Sequence, residues 1–272
     1  MNSARLAAGF IGAGNMGQAL ITGLVHGGIA ATRIGIAEPD AAQAAALQQR
    51  FPGLVALPAR ELAARSETLV LAVKPQILSM LAPSLAAAVG GARPLVVSVA
   101  AGISTGQLAG WLGPETRIVR AMPNTPALIG AGIAGLFAGE NAEPSDRETA
   151  ERLLGAVGAT VWLAHEEQMH AVTATSGSGP AYIFLLIEAM TEAAIRLGLE
   201  PETARRLTLA TAAGAARLAA ESPESAAELR ARVTSPGGTT ERALAVFREQ
   251  GFAELVDAAM RAATERSREL GA

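Results

Sequence analysis

The chain has 272 residues, 50% hydrophobic, 17% charged and 3% aromatic, with a formal net charge of −3 and no cysteine. This is a globular composition, and its length allows one large domain or two smaller ones. The weakly acidic balance argues against DNA or RNA as a partner. The lack of cysteine excludes a disulfide, a thiolate nucleophile and cysteine-ligated zinc or iron–sulfur clusters, and no metal is expected. The longest apolar stretches, such as residues 94–103 and 181–187, fall short of the roughly 18 residues that a membrane span needs. A soluble, cytoplasmic protein with no membrane partner is expected.

Short apolar runs alternate with amphipathic segments in the first half, with Pro and Gly at the joints, which is the βαβα pattern of a parallel sheet. Strands are predicted at residues 6–11, 33–37, 68–72, 95–99, 117–121 and 160–163, and helices at 16–26, 41–50, 76–89, 105–112 and 145–157. The opening run, residues 6–11, is read as a strand and not as part of a signal peptide. From Glu166 onward nothing reads as a strand. Helices are predicted there at residues 171–197, 201–220, 226–233, 239–250 and 253–270, the second opened by Pro201 at an N1-like position. The fold class is therefore α/β over residues 1–164 and all-α over residues 165–272. Tyr182 to Ile187 are apolar at every position, so a helix there is buried all round. It is either a central core helix or a subunit interface, and a homodimer is expected from the second reading.

The motif Gly12-Ala13-Gly14-Asn15-Met16-Gly17 follows an apolar strand that ends in Phe10-Ile11, and it opens a helix. In that context the first glycine permits a tight turn, the second lets backbone approach a pyrophosphate, and the third packs helix on sheet. The helix N-terminus adds N–H groups and a positive dipole end. At the end of the second strand stands Glu38, where an acidic side chain accepts a bond from the ribose 2′-hydroxyl and repels a 2′-phosphate. Taken alone this favours NADH; the alternative is that Glu38 or Asp40 caps the next helix.

Residue types that are missing narrow the chemistry. The single tyrosine, Tyr182, is followed four residues later by Leu186, so no tyrosine–lysine pair is available to protonate an alkoxide. Without cysteine the thiohemiacetal route is closed. Of the histidines, His26 reads as structural near a helix end, and His165 and His170 fall at the domain joint. Lys74 is the sole lysine and lies just beyond a strand end, where ligands of such sheets bind. Reduction of an imine suits this inventory, because a protonated C=N accepts hydride with positioning as the main requirement. Two small-residue motifs follow in the helical half, residues 175–182 and residues 233–240. The second, with Ser235-Pro236-Gly237-Gly238-Thr239-Thr240 feeding a helix, presents backbone N–H groups suited to a carboxylate. The hydroxyls of Ser235, Thr239 and Thr240 either cap that helix or meet the substrate.

On these residues the chain resembles pyrroline-5-carboxylate reductases along nearly its whole length. The matching stretches are residues 9–16, 71–75 (Leu-Ala-Val-Lys-Pro), 97–102 (Val-Ser-Val-Ala-Ala-Gly), 120–126 (Arg-Ala-Met-Pro-Asn-Thr-Pro), 176–182 and 235–240, the last being the most specific. The resemblance implies a Rossmann-type N-terminal domain and a helical dimerisation domain that interlocks with a second subunit, with rings of dimers in some members. It implies that Ile11, Gly12, Ala13, Gly14, Asn15, Met16, Ala72, Val73, Lys74, Pro75, Val99, Ala100 and Ala101 line the cofactor, with Asn124 near the nicotinamide. It further implies that Ser235, Gly237, Gly238, Thr239 and Thr240 hold the carboxylate of 1-pyrroline-5-carboxylate, that the Thr240 hydroxyl lies near the ring nitrogen as the catalytic group, and that Glu166 borders the substrate. Glu38 departs from a family habit of serine that contacts the 2′-phosphate of NADPH, so resemblance favours NADPH and the residue favours NADH. Ala59 and Arg232 also replace polar residues of some members, and Pro223-Glu224-Ser225 replaces a His-Pro pair. The alternatives are a β-hydroxyacid dehydrogenase, which places a lysine one turn into its long helix where this chain has none, and a non-catalytic nucleotide sensor.

Overall fold

The computed structural model describes residues 5–271. The first part of the chain runs β1 (Leu6–Ile11), α1 (Asn15–His26), β2 (Ile34–Ala37), α2 (Ala41–Arg50), β3 (Val55–Ala56), α3 (Ala59–Arg65), β4 (Ser66–Leu71), α4 (Pro75–Ala92), β5 (Leu95–Ser98), α5 (Thr105–Leu112), β6 (Ile118–Met122), β7 (Gly132–Ala138), α6 (Pro144–Gly155) and β8 (Gly158–Trp162). The strands form one sheet in the order β3-β2-β1-β4-β5-β6-β7-β8. All neighbours pair parallel except β6 and β7, which are antiparallel, with Met122 opposite Gly135. The chain thus winds outward from β1 through β2 to β3, returns to β4 on the other side of β1, and winds outward again.

Helices on both faces explain why the strands read as continuous apolar runs. Successive side chains alternate between two cores. Phe10, Val70, Val97 and Val119 join Leu20, Ile21, Leu153 and Leu154 on one face. Ile11, Leu71, Val96 and Ile118 join Leu62, Leu78, Leu85 and Leu108 on the other. Fully burying one such Leu or Ile contributes about 1.5–3 kcal/mol before chain entropy is counted.

Three elements were not expected from the sequence. β3 has two residues and α3 seven, too short for a periodic pattern to show. β7 reads Gly-Ile-Ala-Gly-Leu-Phe-Ala, whose Gly and Ala are poor strand formers, so pairing with β6 and β8 makes it a strand. Its direction makes the sheet mixed where a parallel one was expected. α4 is uncharged over 18 residues and is the one helix, among the described residues, long and apolar enough to cross a membrane. Gln76, Ser79, Ser84, Gly90 and Gly91 interrupt its apolar run. Its Leu78, Ala82, Leu85 and Val89 are buried in the sheet's second core.

The rest of the chain is helical: α7 (Gln168–Val172), α8 (Gly179–Arg196), α9 (Pro201–Glu221), α10 (Ala226–Arg232), α11 (Thr239–Glu249) and α12 (Phe252–Glu269). The helix predicted over residues 171–197 is broken. A π turn over Thr173–Gly177, closed by the Ser178 N–H on the Thr173 carbonyl at 2.8 Å, separates α7 from α8. Gly177, Gly179 and Pro180 lie at that joint, and Pro180 has no N–H to continue a ladder. By packing, one compact unit holds the sheet with the chain up to Ser178 and again from Ala262, and the other is Gly179–Arg261. Within the helical unit α8 buries no residue: Ile183, Phe184 and Leu185 are 53%, 62% and 65% exposed. The core-helix reading of Tyr182–Ile187 therefore fails for a single chain. An apolar groove of about 730 Å³, lined by Leu186, Met190, Leu244, Phe247 and Phe252, continues the same surface.

Candidate functional site

The loops after β1, β4 and β5 leave the sheet side by side because backbone pairing continues past the strand ends. The Gly12 N–H donates to the Ala37 carbonyl at 2.9 Å, Ala72 to Ile11 at 2.8 Å and Val99 to Leu71 at 3.1 Å. This edge includes the β1/β4 switch point, the place where open α/β sheets bind ligands.

At that point the three glycines of the first loop differ in what they need. Gly12 has φ +89°, and a Cβ there would lie 2.8 Å from the Ala72 carbonyl oxygen. A Cβ on Gly17 would lie 2.7 Å from the Gly12 oxygen. Packing within the chain thus accounts for both. A Cβ on Gly14 would meet nothing within 4 Å, and Gly14 is also the N-cap of α1, with no side-chain cap. The chain leaves an open cradle over the positive end of a 12-residue helix, which fits a pyrophosphate.

Glu38 closes one side of this cradle. Its Oε2 accepts the Ala13 N–H at 2.8 Å and its Oε1 the Asp40 N–H at 3.0 Å, while Gln43 Nε2 reaches Oε2 at 3.3 Å and also donates to the Ala13 carbonyl. Asp40, and not Glu38, caps α2, accepting from the Ala42 and Gln43 N–H groups. The Glu38 carboxylate keeps lone-pair capacity for one more donor.

Lys74 precedes Pro75, the first residue of α4, and is exposed. Val99 and Ala101 are half-buried and Ala100 is buried. Asn124, 9% exposed, accepts the Ile133 N–H through Oδ1 at 3.0 Å, which ties the end of β6 to the start of β7. Ile11 to Met16, Glu38, Ala72 to Pro75, Val99 to Ala101 and Asn124 thus all follow or end strands of one sheet.

Glu166 is already engaged. Its carboxylate accepts the Thr105 N–H and hydroxyl, each at 2.7 Å, and Arg120 at 3.0 Å. Arg120 is 3% exposed, and a cation buried so deeply requires such a partner. An arginine inside the apolar strand Ile-Val-Arg-Ala-Met was the signal for this tie, which motif reading alone did not exploit. Thr105 and Gln107, in the first turn of α5, and Gln43 belong to no motif in the sequence, and their roles come from contacts distant along the chain. His170 Nδ1 lies 2.9 Å from the Ser267 hydroxyl. Burial, then the Arg120 guanidinium, hold its pKa below the usual histidine value, with Arg268 acting the same way and Glu167 and Glu166 opposing. His26 is exposed in the last turn of α1, whose cap is Gly27, and His165 is exposed. Among the described residues no group of three or more His, Asp or Glu is arranged to hold a metal.

In the helical unit, the Ser235–Thr240 stretch turns through the Gly238 N–H on the Ser235 carbonyl at 3.0 Å and enters α11 with Gly238 as N-cap. No side chain caps α11, so the capping reading of the Ser235, Thr239 and Thr240 hydroxyls fails. Glu241 accepts the Gly237 N–H at 2.7 Å and so holds the loop, while Arg232 pairs with Glu224.

Two family descriptions match the chain: pyrroline-5-carboxylate reductase dimerisation over residues 166–270, and NADP oxidoreductase, coenzyme F420-dependent, over residues 7–102. The pyrroline-5-carboxylate reductase of Pseudomonas aeruginosa is 48% identical over 270 residues, covering 99% of this chain and 98% of that protein. That of Escherichia coli K12 is 36% identical, covering 96% and 97%. Among solved structures, a pyrroline-5-carboxylate reductase from Coxiella burnetii superposes with a TM-score of 0.91 at 40% identity, covering 98% and 99% of the two chains. The Plasmodium falciparum pyrroline carboxylate reductase with NADP bound gives 0.88 at 29% identity, covering 98% of each.

Proposed function

This chain belongs to the pyrroline-5-carboxylate reductase family, and from that premise we propose which of its residues carry the reduction of 1-pyrroline-5-carboxylate to L-proline, the last step of proline biosynthesis. When bound, NAD(P)H would supply the hydride that adds to the carbon of the protonated ring C=N, whose π pair becomes the lone pair of the amine nitrogen, so the transfer itself takes up no proton. Residues Ile11 to Met16 hold the pyrophosphate over the N-terminus of α1, Ala72 to Pro75 and Val99 to Ala101 flank the cofactor, and Asn124 meets its nicotinamide end. Ser235, Gly237, Gly238, Thr239 and Thr240 orient the substrate carboxylate, and the Thr240 hydroxyl donates to the ring nitrogen. Glu166 acts near the substrate by fixing Arg120 and the start of α5. The single observation that carries this reading is the cradle at Gly14, where a Cβ would meet no atom of the described residues within 4 Å.

Glu38 makes NADH the preferred donor, because its charge opposes a 2′-phosphate and residues 37–43 hold no Arg or Lys to neutralise one. Residues 1–164 serve the cofactor, and residues 165–272 serve dimerisation and substrate, in a cytoplasmic homodimer or a ring of such dimers. The test is Thr240→Ala. We expect kcat to fall on the order of 10²-fold, with the Kd for NADH nearly unchanged. An unchanged kcat would remove Thr240 from the reaction.

A further inference from the structure

The loop that follows β5 is built from Val99, Ala100, Ala101 and Gly102, side chains too small to anchor themselves. The residues around the end of α12 supply the anchor. Gly102 has φ +83°, and a Cβ there would lie 2.9 Å from the Leu270 Cβ and 3.0 Å from the Gly271 nitrogen. A Cβ on Gly271 would lie 2.3 Å from the Gly102 oxygen, so the two backbones touch with no room for a side chain on either.

Polar ties hold this approach in place. The Gly271 carbonyl accepts Gln107 Nε2 at 2.7 Å. Gln107 Oε1 at the same time accepts the Ser104 N–H at 2.9 Å, and the Gln107 N–H returns to the Ser104 hydroxyl at 3.1 Å, the reciprocal cap of α5. One amide therefore joins Ser104, the N-cap of α5 two residues beyond Gly102, to Gly271. Behind it Ser267, 1% exposed, meets His170, and Arg268 Nε donates to Glu167 at 2.9 Å.

We propose that the last turn of α12 and the residues after it, Ser267 to Gly271, form a latch that holds the Val99–Gly102 loop in its cofactor-binding conformation, with Gln107 and Gly271 as positioning residues. The proposal rests on the reading that this loop lines the cofactor. Neither residue is among those proposed to hold the imine, so the latch is read first in cofactor affinity.

Gln107→Glu separates the latch from the helix cap. A glutamate keeps the acceptor for the Ser104 N–H but loses the donor to Gly271, whose carbonyl it then faces with a negative charge. We expect the Kd for NADH to rise about fivefold in Gln107→Glu, as for one lost hydrogen bond, and further on removal of residues 270–272. The KM for 1-pyrroline-5-carboxylate and the oligomer mass should stay as in the unaltered enzyme. Ala101→Glu serves as the control on the loop itself and should abolish tight cofactor binding. If Ala101→Glu binds NADH poorly while Gln107→Glu and the shortened chain bind it normally, the latch is wrong and the cofactor reading survives. If Ala101→Glu binds normally, the loop does not line the cofactor and both fail. Parallel losses in NADH and imine affinity would mark general disruption and also overturn the latch.

Discussion

Glu38 holds local structure with the same carboxylate that we propose recognises the ribose. It bonds the Ala13 N–H across 25 positions of sequence and the Asp40 N–H next to it, and so fixes the phosphate loop against the end of β2. Replacing it with serine therefore has two consequences of different sign. Efficiency with NADH falls, since the loop loses an acceptor, and the ratio of NADPH to NADH efficiency rises by at least about tenfold, or ~1.4 kcal/mol. Steady-state kinetics with both donors check this, and an unchanged ratio would mean that the carboxylate does not meet the ribose. The place of Glu38 was legible in the sequence because it follows a strand at the expected distance from the glycines. Its bond to Ala13 was not, because no local pattern encodes a contact between loops. The same limit explains Glu166, whose bonds to Thr105 and Arg120 no local pattern encodes.

Among the elements, those with strong periodicity were legible and those made by context were not. β1, β2, β4, β5 and β6 carry branched apolar side chains and short Gly or Pro joints. β7 carries few such residues, and its existence depends on its neighbours. The predicted helix over residues 171–197 spans Thr-Ala-Thr-Ser-Gly-Ser-Gly at 173–179, small residues without apolar periodicity, and the break at Thr173–Gly177 falls in that stretch. α7, on the near side of that break, holds His170 against Ser267 near the end of α12. His170 is held below its usual pKa, chiefly by burial and by Arg120. The folded chain therefore favours the neutral ring, and the stability this gives is complete above the ordinary value of about 6.5 and is lost as pH falls through the lowered one. The groups that face His170 are Arg120 from β6, Glu166 and Glu167 before α7, and Arg268 from α12. Thermal melts from pH 7.5 to 5.5 should show a steeper fall in Tm for the unaltered protein than for His170→Asn. Equal slopes would show that His170 does not titrate with folding.

At the scale of the whole molecule, the helical unit cannot be stable by its own burial. α8 buries nothing, α9 buries only Ala204 and Thr208, and large apolar side chains such as Phe184, Leu185 and Leu255 lie open. Surfaces of that kind belong to subunit interfaces. The chain is a homo-oligomer through this unit, which matches the family's dimerisation region. The greasy run of α8 was legible in the sequence; that its cover comes from outside the chain became plain only when the fold left it exposed. Phe184→Glu places a charge in that surface and should shift the mass in solution toward the monomer, as read by light scattering, and an unchanged mass would take Phe184 out of the interface. We propose that the sheet's glycine cradle and the helical unit's Ser235–Thr240 loop serve hydride transfer to a cyclic imine. This is tested most directly by the oxidation of NADH, and separately of NADPH, by the purified protein with 1-pyrroline-5-carboxylate. Turnover to L-proline, faster per unit concentration with NADH, is expected; cofactor binding without turnover of either donor would contradict the proposed roles.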